Sequence, residues 1–308
     1  MSRPHTFAPP PCARAHRLRT PRGDFAVLDA TPDTPPRATA LLLPGYLGSK
    51  EDFIAMLEPL TAAGYRAVAV DGRGQYETEG TGRQEAYSQG ELARDVLAQA
   101  IALGATDGDA DGDADDDAAV SGTKDSGAAT GPVRPPVHLL GHSLGGLIAR
   151  AAVLLDASPF RSLTLMSSGP ARVVPVQQER VRMLSDALTT MTMAEVWQVM
   201  QALDPPQDAS PDGDALRRRW LRHDRAQLIA TGRQLATEPD RVVELAAVGL
   251  PVHVVSGVHD DTWPVPSLDA MAERLGARRT TIEGAQHSPN TDRPERTVEA
   301  LVSFWDGL

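Results

Sequence analysis

Short unbroken apolar runs alternate along the chain with longer stretches in which apolar residues recur every three or four positions. Runs at 38–43, 137–140 and 250–256 have the apolar character of buried strands, and 65–70 and 162–166 read as further strands. Between them, Phe53, Met56, Leu57 and Leu60 predict a helix over 52–63 that Gly64 ends, and Leu92, Val96, Leu97 and Ala100 predict one over 89–103. Leu144, Leu147, Ile148 and Ala151 share a face, as do Val298, Leu301, Val302 and Trp305 in a closing helix over 294–305. A helix over 267–275 and a short strand at 280–282 complete the second half. Such alternation predicts an α/β fold, a mainly parallel sheet flanked by helices. Ahead of it, residues 1–15 read as a flexible, Pro-rich tail, and 16–19 and 25–28 as a hairpin turned by Pro21-Arg22-Gly23-Asp24.

Two stretches break the pattern. Residues 104–131 hold eight Asp against Lys124, with Gly and Ala between and no periodicity, so they predict a disordered acidic insertion. Asp107, Asp109, Asp111 and Gly112 match the opening of a calcium loop, but its twelfth position is Ala118 where a bidentate Glu is needed, so no metal is assigned. In the second stretch, 170–248, Thr192 and Glu195 form a capping-box signature. It opens a helix with Val196, Val199, Met200 and Leu203 on one face, which Pro205-Pro206 stops. A single helix is predicted over 216–235, its run of Arg217, Arg218, Arg219, Arg222 and Arg225 read as a solvated face, with a substrate-carboxylate site as the alternative.

Composition narrows the class. The 308 residues suffice for a large core in one or two domains. Net charge is −11, of which −7 lies in 104–131, and the −4 left elsewhere gives no basic nucleic-acid footprint. The lone Cys12 excludes an internal disulfide and suits a reducing compartment. The first twenty residues lack an apolar signal core, and Arg150 interrupts the best candidate span, so a cytoplasmic protein without a membrane segment is expected.

Candidate chemistry centres on Gly141-His142-Ser143-Leu144-Gly145, a G-x-S-x-G sequence between a buried strand and an amphipathic helix. A tight strand-to-helix turn there strains the serine, lifts its hydroxyl into solvent, and sets it over the free N–H groups of the helix start. Here, and at Gly257-Val258-His259-Asp260-Asp261-Thr262-Trp263-Pro264 and Gly284-Ala285-Gln286-His287-Ser288-Pro289, the chain resembles the α/β-hydrolases. The resemblance runs from about residue 38 to the end, apart from 104–131, and implies the α/β-hydrolase fold. It also implies a core of 16–169 and 249–308 and a helical cap over 170–248. It gives Ser143 the role of nucleophile, His287 that of base and Asp260 that of the acid, with Asp261 the alternative should the register slip. The Ser…Asp…His order is the family's, and a cap-sized excursion separates Ser143 from Asp260.

Backbone N–H groups of Tyr46, in Pro44-Gly45-Tyr46-Leu47-Gly48-Ser49, and of Leu144 would form the oxyanion hole. Pro44 stands where the family usually has His. The run Asp71-Gly72-Arg73-Gly74-Gln75 resembles a family loop and is read as a structural turn held by an Arg–Asp contact. Met183, Met191, Met193 and Met200 suit either an adaptable acyl pocket or the cap's own core. His138 and His253 lie inside strands as satisfied core residues, and His142 packs; no metal site and no cofactor are expected. The implied function is hydrolysis of a small carboxylic ester through an acyl-serine. An acyltransferase, a C–C bond hydrolase and a ligand-binding receptor on the same fold stay open.

Overall fold

A computed structural model describes residues 3–106, 137–203 and 213–308. Its eight strands are β1 (Ala13–Thr20), β2 (Gly23–Ala30), β3 (Thr39–Leu43), β4 (Arg66–Val70), β5 (Val137–His142), β6 (Phe160–Met166), β7 (Val252–Gly257) and β8 (Arg278–Ile282). They form one sheet in the order β1-β2-β4-β3-β5-β6-β7-β8. From β4 to β8 neighbouring strands are parallel, and the β1–β2 hairpin adds its second strand antiparallel to β4.

Alternation along the strands sends side chains to two cores. Leu41, Leu43, Val68, Val70 and Leu139 face one side, where α2 (Gln89–Thr106), α3 (Leu144–Leu155) and α9 (Val265–Leu275) cover them. Ala40, Leu42, Ala67, Ala69 and Leu140 face the other, under α1 (Ile54–Ala62) and α11 (Pro294–Trp305). With both faces covered, the strands are near-continuously apolar, as the sequence pattern requires. His138 pairs there with Ser162 Oγ at 2.8 Å and stacks on Trp305, whereas His253 is satisfied only in part: its Nε2 pairs with Thr280 Oγ1 at 2.8 Å and its buried Nδ1 has no hydrogen-bond partner.

Between β6 and β7 the chain runs through α4 (Pro175–Thr190), α5 (Met193–Leu203), α6 (Gly213–Arg222), α7 (Arg225–Thr237) and α8 (Val242–Val248). The capping box opens α5 as expected, with Glu195 N–H donating to Thr192 Oγ1 and Thr192 N–H to Glu195 Oε2. Leu188, Val196, Trp220 and Leu228 form a small core of their own. Met191, Met193 and Met200 pack on this core, Met183 is exposed, and none of the four lines the cleft described below.

Several expectations change. Strand β1 begins at Ala13, three residues early, because Ala13 pairs with Ala30 and Ala13 N–H donates to Pro10 O. Ahead of it, a His5 ring nitrogen lies 3.2 Å from Thr291 O. The single helix over 216–235 is two helices. Asp224 takes an extended conformation, accepts from Ala226 N–H at 2.7 Å and so caps α7. In the 71–75 turn, Arg73 grips Asp95 with two hydrogen bonds of 2.6 and 2.7 Å, while Asp71 pairs with buried Lys50 at 2.9 Å. The acidic insertion beyond Thr106, its Asp107–Gly112 motif and Pro205-Pro206 lie outside the described residues. Among the described residues no helix is long and apolar enough to cross a membrane, and no three potential metal ligands cluster.

The arginine run is not a uniform solvated face. Arg219 is fully buried and lies 2.7 Å from the equally buried Asp52, tying α6 to the loop after β3. Burial pushes the Asp52 carboxyl above its ordinary value even beside this guanidinium. Arg219→Met leaves Asp52 buried without its cation and is expected to cost about 3–5 kcal/mol in urea unfolding. Asp52→Asn added to it should recover part of that loss, because the stranded charge is then gone. A single-variant loss below about 1 kcal/mol would show that water reaches Asp52.

Candidate active site

Registers in the sheet bring the distant motifs together. Leu43 at the end of β3 is opposite Gly141, and Met166 of β6 lies between His142 of β5 and Val255 of β7. The loops after β3, β5 and β7 therefore open at one edge, the carboxyl ends of parallel strands where ligands of such sheets bind.

Ser143 sits at φ 53°, ψ −118°, a left-handed conformation that is strained for a residue with a side chain. The turn is possible because its flanks are glycine. A Cβ on Gly141 would lie 2.3 Å from Gly145 O, and one on Gly145 would lie 2.5 Å from Leu43 O. Leu144 opens α3, so its N–H has no helical carbonyl to bond. The loop after β3 passes directly against the turn: a Cβ on Gly45 would come within 3.1 Å of Ser143 Cβ. That loop is held by Gly48 N–H and Gln75 Nε2, each donating to Gly45 O at 3.1 Å, and by the Tyr46 hydroxyl donating to Leu228 O in α7.

Ser143 Oγ lies 3.0 Å from His287 Nε2, and His287 Nδ1 donates to Asp260 at 2.9 and 3.0 Å. The Asp260 side chain is fully buried and that of His287 one-quarter exposed. Burial pushes the Asp260 carboxyl up, but hydrogen bonds from His287 and from Trp263 and Thr262 N–H outweigh it and hold it below its ordinary value. It stays a carboxylate that accepts from Nδ1–H, which leaves Nε2 as the acceptor facing Ser143. Asp261 points elsewhere: it takes a hydrogen bond from Gln177 at 2.9 Å and is 71 % exposed. Of the two adjacent acids, only Asp260 meets the histidine.

Three supports escaped the sequence reading. His142 Nε2–H donates to His287 O at 2.8 Å, bracing the loop that carries His287; burial lowers the His142 pKa to about 3, so the ring is neutral. Gln75 braces Gly45, from a loop read as a turn alone. The Trp263 indole donates to Ala171 O at 2.8 Å, fastening the Asp260 loop to the chain leaving β6. The one local signal was at Asp260, whose Oδ1 accepts from the N–H groups two and three residues on, an Asx turn.

Above Ser143 opens a cleft of about 410 Å³. Gly45, Tyr46 and His142 line one part of it, and Val173, Val181, Leu184 and Leu235, from the segments between β6 and β7, supply an apolar wall.

Comparison with known proteins agrees with this architecture. The model of the "Alpha/beta hydrolase family" matches residues 40–300. A pimeloyl-[acyl-carrier protein] methyl ester esterase of Aeromonas hydrophila is 28% identical over 178 residues, 54% of this chain and 69% of that protein. Among solved structures, a thermophilic esterase from Thermogutta terrifontis has a TM-score of 0.70 at 19% identity, covering 96% of this chain and 99% of its own. An esterase from Exiguobacterium antarcticum reaches 0.71 at 18% identity, covering 95% and 100%. The family match spans the parallel strands β3 to β8, the strand-to-helix turn of Ser143 and the loops of Asp260 and His287, and the chain is accordingly an enzyme of the alpha/beta hydrolase family.

Proposed function

We propose that this enzyme hydrolyses a carboxylic ester through an acyl-serine intermediate, with Ser143, His287 and Asp260 as its triad. The observation that carries this reading is the unbroken hydrogen-bonded chain from Ser143 Oγ through the His287 ring to Asp260. A serine hydroxyl is a weak nucleophile at its own pKa, and His287 Nε2, 3.0 Å away, takes its proton as Oγ attacks the carbonyl carbon. The oxygen turns negative and draws on the N–H groups of Leu144 and Tyr46, each worth roughly 3–4 kcal/mol in comparable sites. His287 then returns the proton to the leaving alcohol, and a water activated by the same nitrogen releases the acid. Asp260 holds Nδ1–H and steadies the imidazolium in both halves.

Helices α4–α8 serve as the cap in this reading, with Val173, Val181, Leu184 and Leu235 forming an apolar bed for a modest acyl group. Similarity to a methyl ester esterase supports an ester over a thiol or carbon leaving group. The test is treatment of the folded full-length chain with a fluorophosphonate probe, mapped by mass spectrometry, beside turnover of short- and medium-chain p-nitrophenyl esters. A single adduct on Ser143 together with turnover is expected. A folded protein that neither labels nor turns over would overturn the acyl-serine reading and favour a binding protein.

A further inference from the structure

The wall of the cleft is graded in charge. Helix α4 places Gln177, Arg180, Val181 and Leu184 along it at helical spacing, polar at the helix start and apolar further on. Among the described residues lining the cleft, Arg180 is the one arginine and no lysine joins it. The lining also includes Asp52, but that charge is answered by buried Arg219 at 2.7 Å. Asp261 is left as the acid facing Arg180.

That pairing is loose. Arg180 stands 3.8 Å from Asp261 Oδ2, an oxygen already bonded to Gln177 at 2.9 Å, and the two side chains are 65 % and 71 % exposed. Contacts of that kind contribute little to stability, so an incoming anion displaces Asp261 from the guanidinium at small cost. A guanidinium presents two parallel N–H donors that match the two oxygens of a carboxylate. The apolar bed of Val181 and Leu184 adjoins it on the same helix face.

We propose that Arg180 is a specificity-determining residue for esters whose acyl part carries a second, ionised carboxylate at the end remote from the scissile bond. Asp261 is the resident competitor that occupies the guanidinium when substrate is absent. The proposal rests on the ester-hydrolase reading and deepens it. The substrate class is a half-ester of a dicarboxylic acid: its apolar middle lies on Val181 and Leu184, and its free carboxylate is received by Arg180.

The experiment uses the full-length chain and two matched series, methyl esters of unbranched monocarboxylic acids and monomethyl esters of the corresponding dicarboxylic acids. The readout is the ratio of kcat/KM, half-ester over neutral ester, at each chain length. In the wild type the ratio should exceed one and peak at one length, and it should fall as salt is raised, because the site is at an exposed rim. Arg180→Gln should lower the ratio about three- to fivefold, chiefly through KM, with Arg180→Lys intermediate. Asp261→Asn should move it the other way, several-fold upward, since the competing carboxylate is gone. A wild-type ratio at or below one would overturn the proposal. So would an Arg180→Gln variant that slows both series equally, or an Asp261→Asn variant that lowers the ratio. Each of these outcomes leaves the ester-hydrolase reading standing if Ser143 still labels with the fluorophosphonate. Loss of both labelling and turnover in the folded wild type would instead sink that reading.

Discussion

Ser143→Ala is expected to lower kcat on p-nitrophenyl esters by about 10⁶-fold and to abolish fluorophosphonate labelling, with the fold intact. The change removes one oxygen and keeps the Cβ, so the close approach of Gly45 to Ser143 Cβ, and the glycine contacts that shape the turn, are preserved. Without Oγ no acyl-enzyme forms, and His287 has nothing to deprotonate except water. In the proposed mechanism the N–H groups of Leu144 and Tyr46 would still meet the carbonyl oxygen, so a residual rate about 10³–10⁴ above the uncatalysed one should survive. Circular dichroism and the urea midpoint establish that the variant is folded. Turnover within tenfold of wild type would mean that another group attacks the ester.

Asp260→Asn should reduce kcat by about 10⁴-fold, through the histidine tautomer and not through loss of structure. Asp260 accepts from Thr262 N–H at 2.9 Å, from Trp263 N–H at 3.1 Å and from His287 Nδ1. An asparagine carbonyl can keep the two backbone bonds. Its NH₂ group then meets Nδ1, which must accept, and the ring proton moves to Nε2, facing Ser143 Oγ. A protonated Nε2 cannot receive the serine proton. The rate of fluorophosphonate labelling should fall with kcat, because the same proton transfer limits it. Asp261→Asn supplies the contrast: this carboxylate bonds Gln177 and is far more exposed, so kcat should change by less than tenfold. If the two variants lose comparable activity, the assignment of the acid to Asp260 fails.

Legibility divided along the range of the interactions. The elbow was readable because its causes are local: a buried strand ending at His142, a helix face starting at Leu144, and glycines at 141 and 145 that the structure shows to be sterically required. The Thr192–Glu195 capping box was readable for the same reason, as both partners lie within one helical turn. The sheet of α/β type followed from runs apolar on both faces, and the family match bears out the fold that the motifs implied.

What stayed hidden depended on residues far apart in the chain. Arg219 belongs to a run of arginines that a helix would ordinarily turn to water, and its burial depends on Asp52, 167 residues away. The break between α6 and α7 came from Asp224, whose second carboxylate oxygen also accepts from Tyr87 Oη and Gly82 N–H, contacts that hold it out of the helix. The tasks of His142 and Gln75 lie in bonds to the backbone of loops from other strands, His287 O and Gly45 O. The motif position favoured Asp260, with Asp261 one register step away; the two differ in space because one projects toward Nδ1 of His287 and the other toward Gln177 on α4.

The sequence by itself determined the parallel strands and the helices that flank them, where the strained serine sits, and the order of the three candidate site residues, because periodicity and turn chemistry act over a few residues; between β6 and β7 it left α4 and α8 unread and merged α6 with α7. Only the tertiary structure decided which acid meets the histidine, which arginine is buried and which is left at the cleft rim, because those outcomes follow from what the packing of distant segments sets within hydrogen-bonding reach.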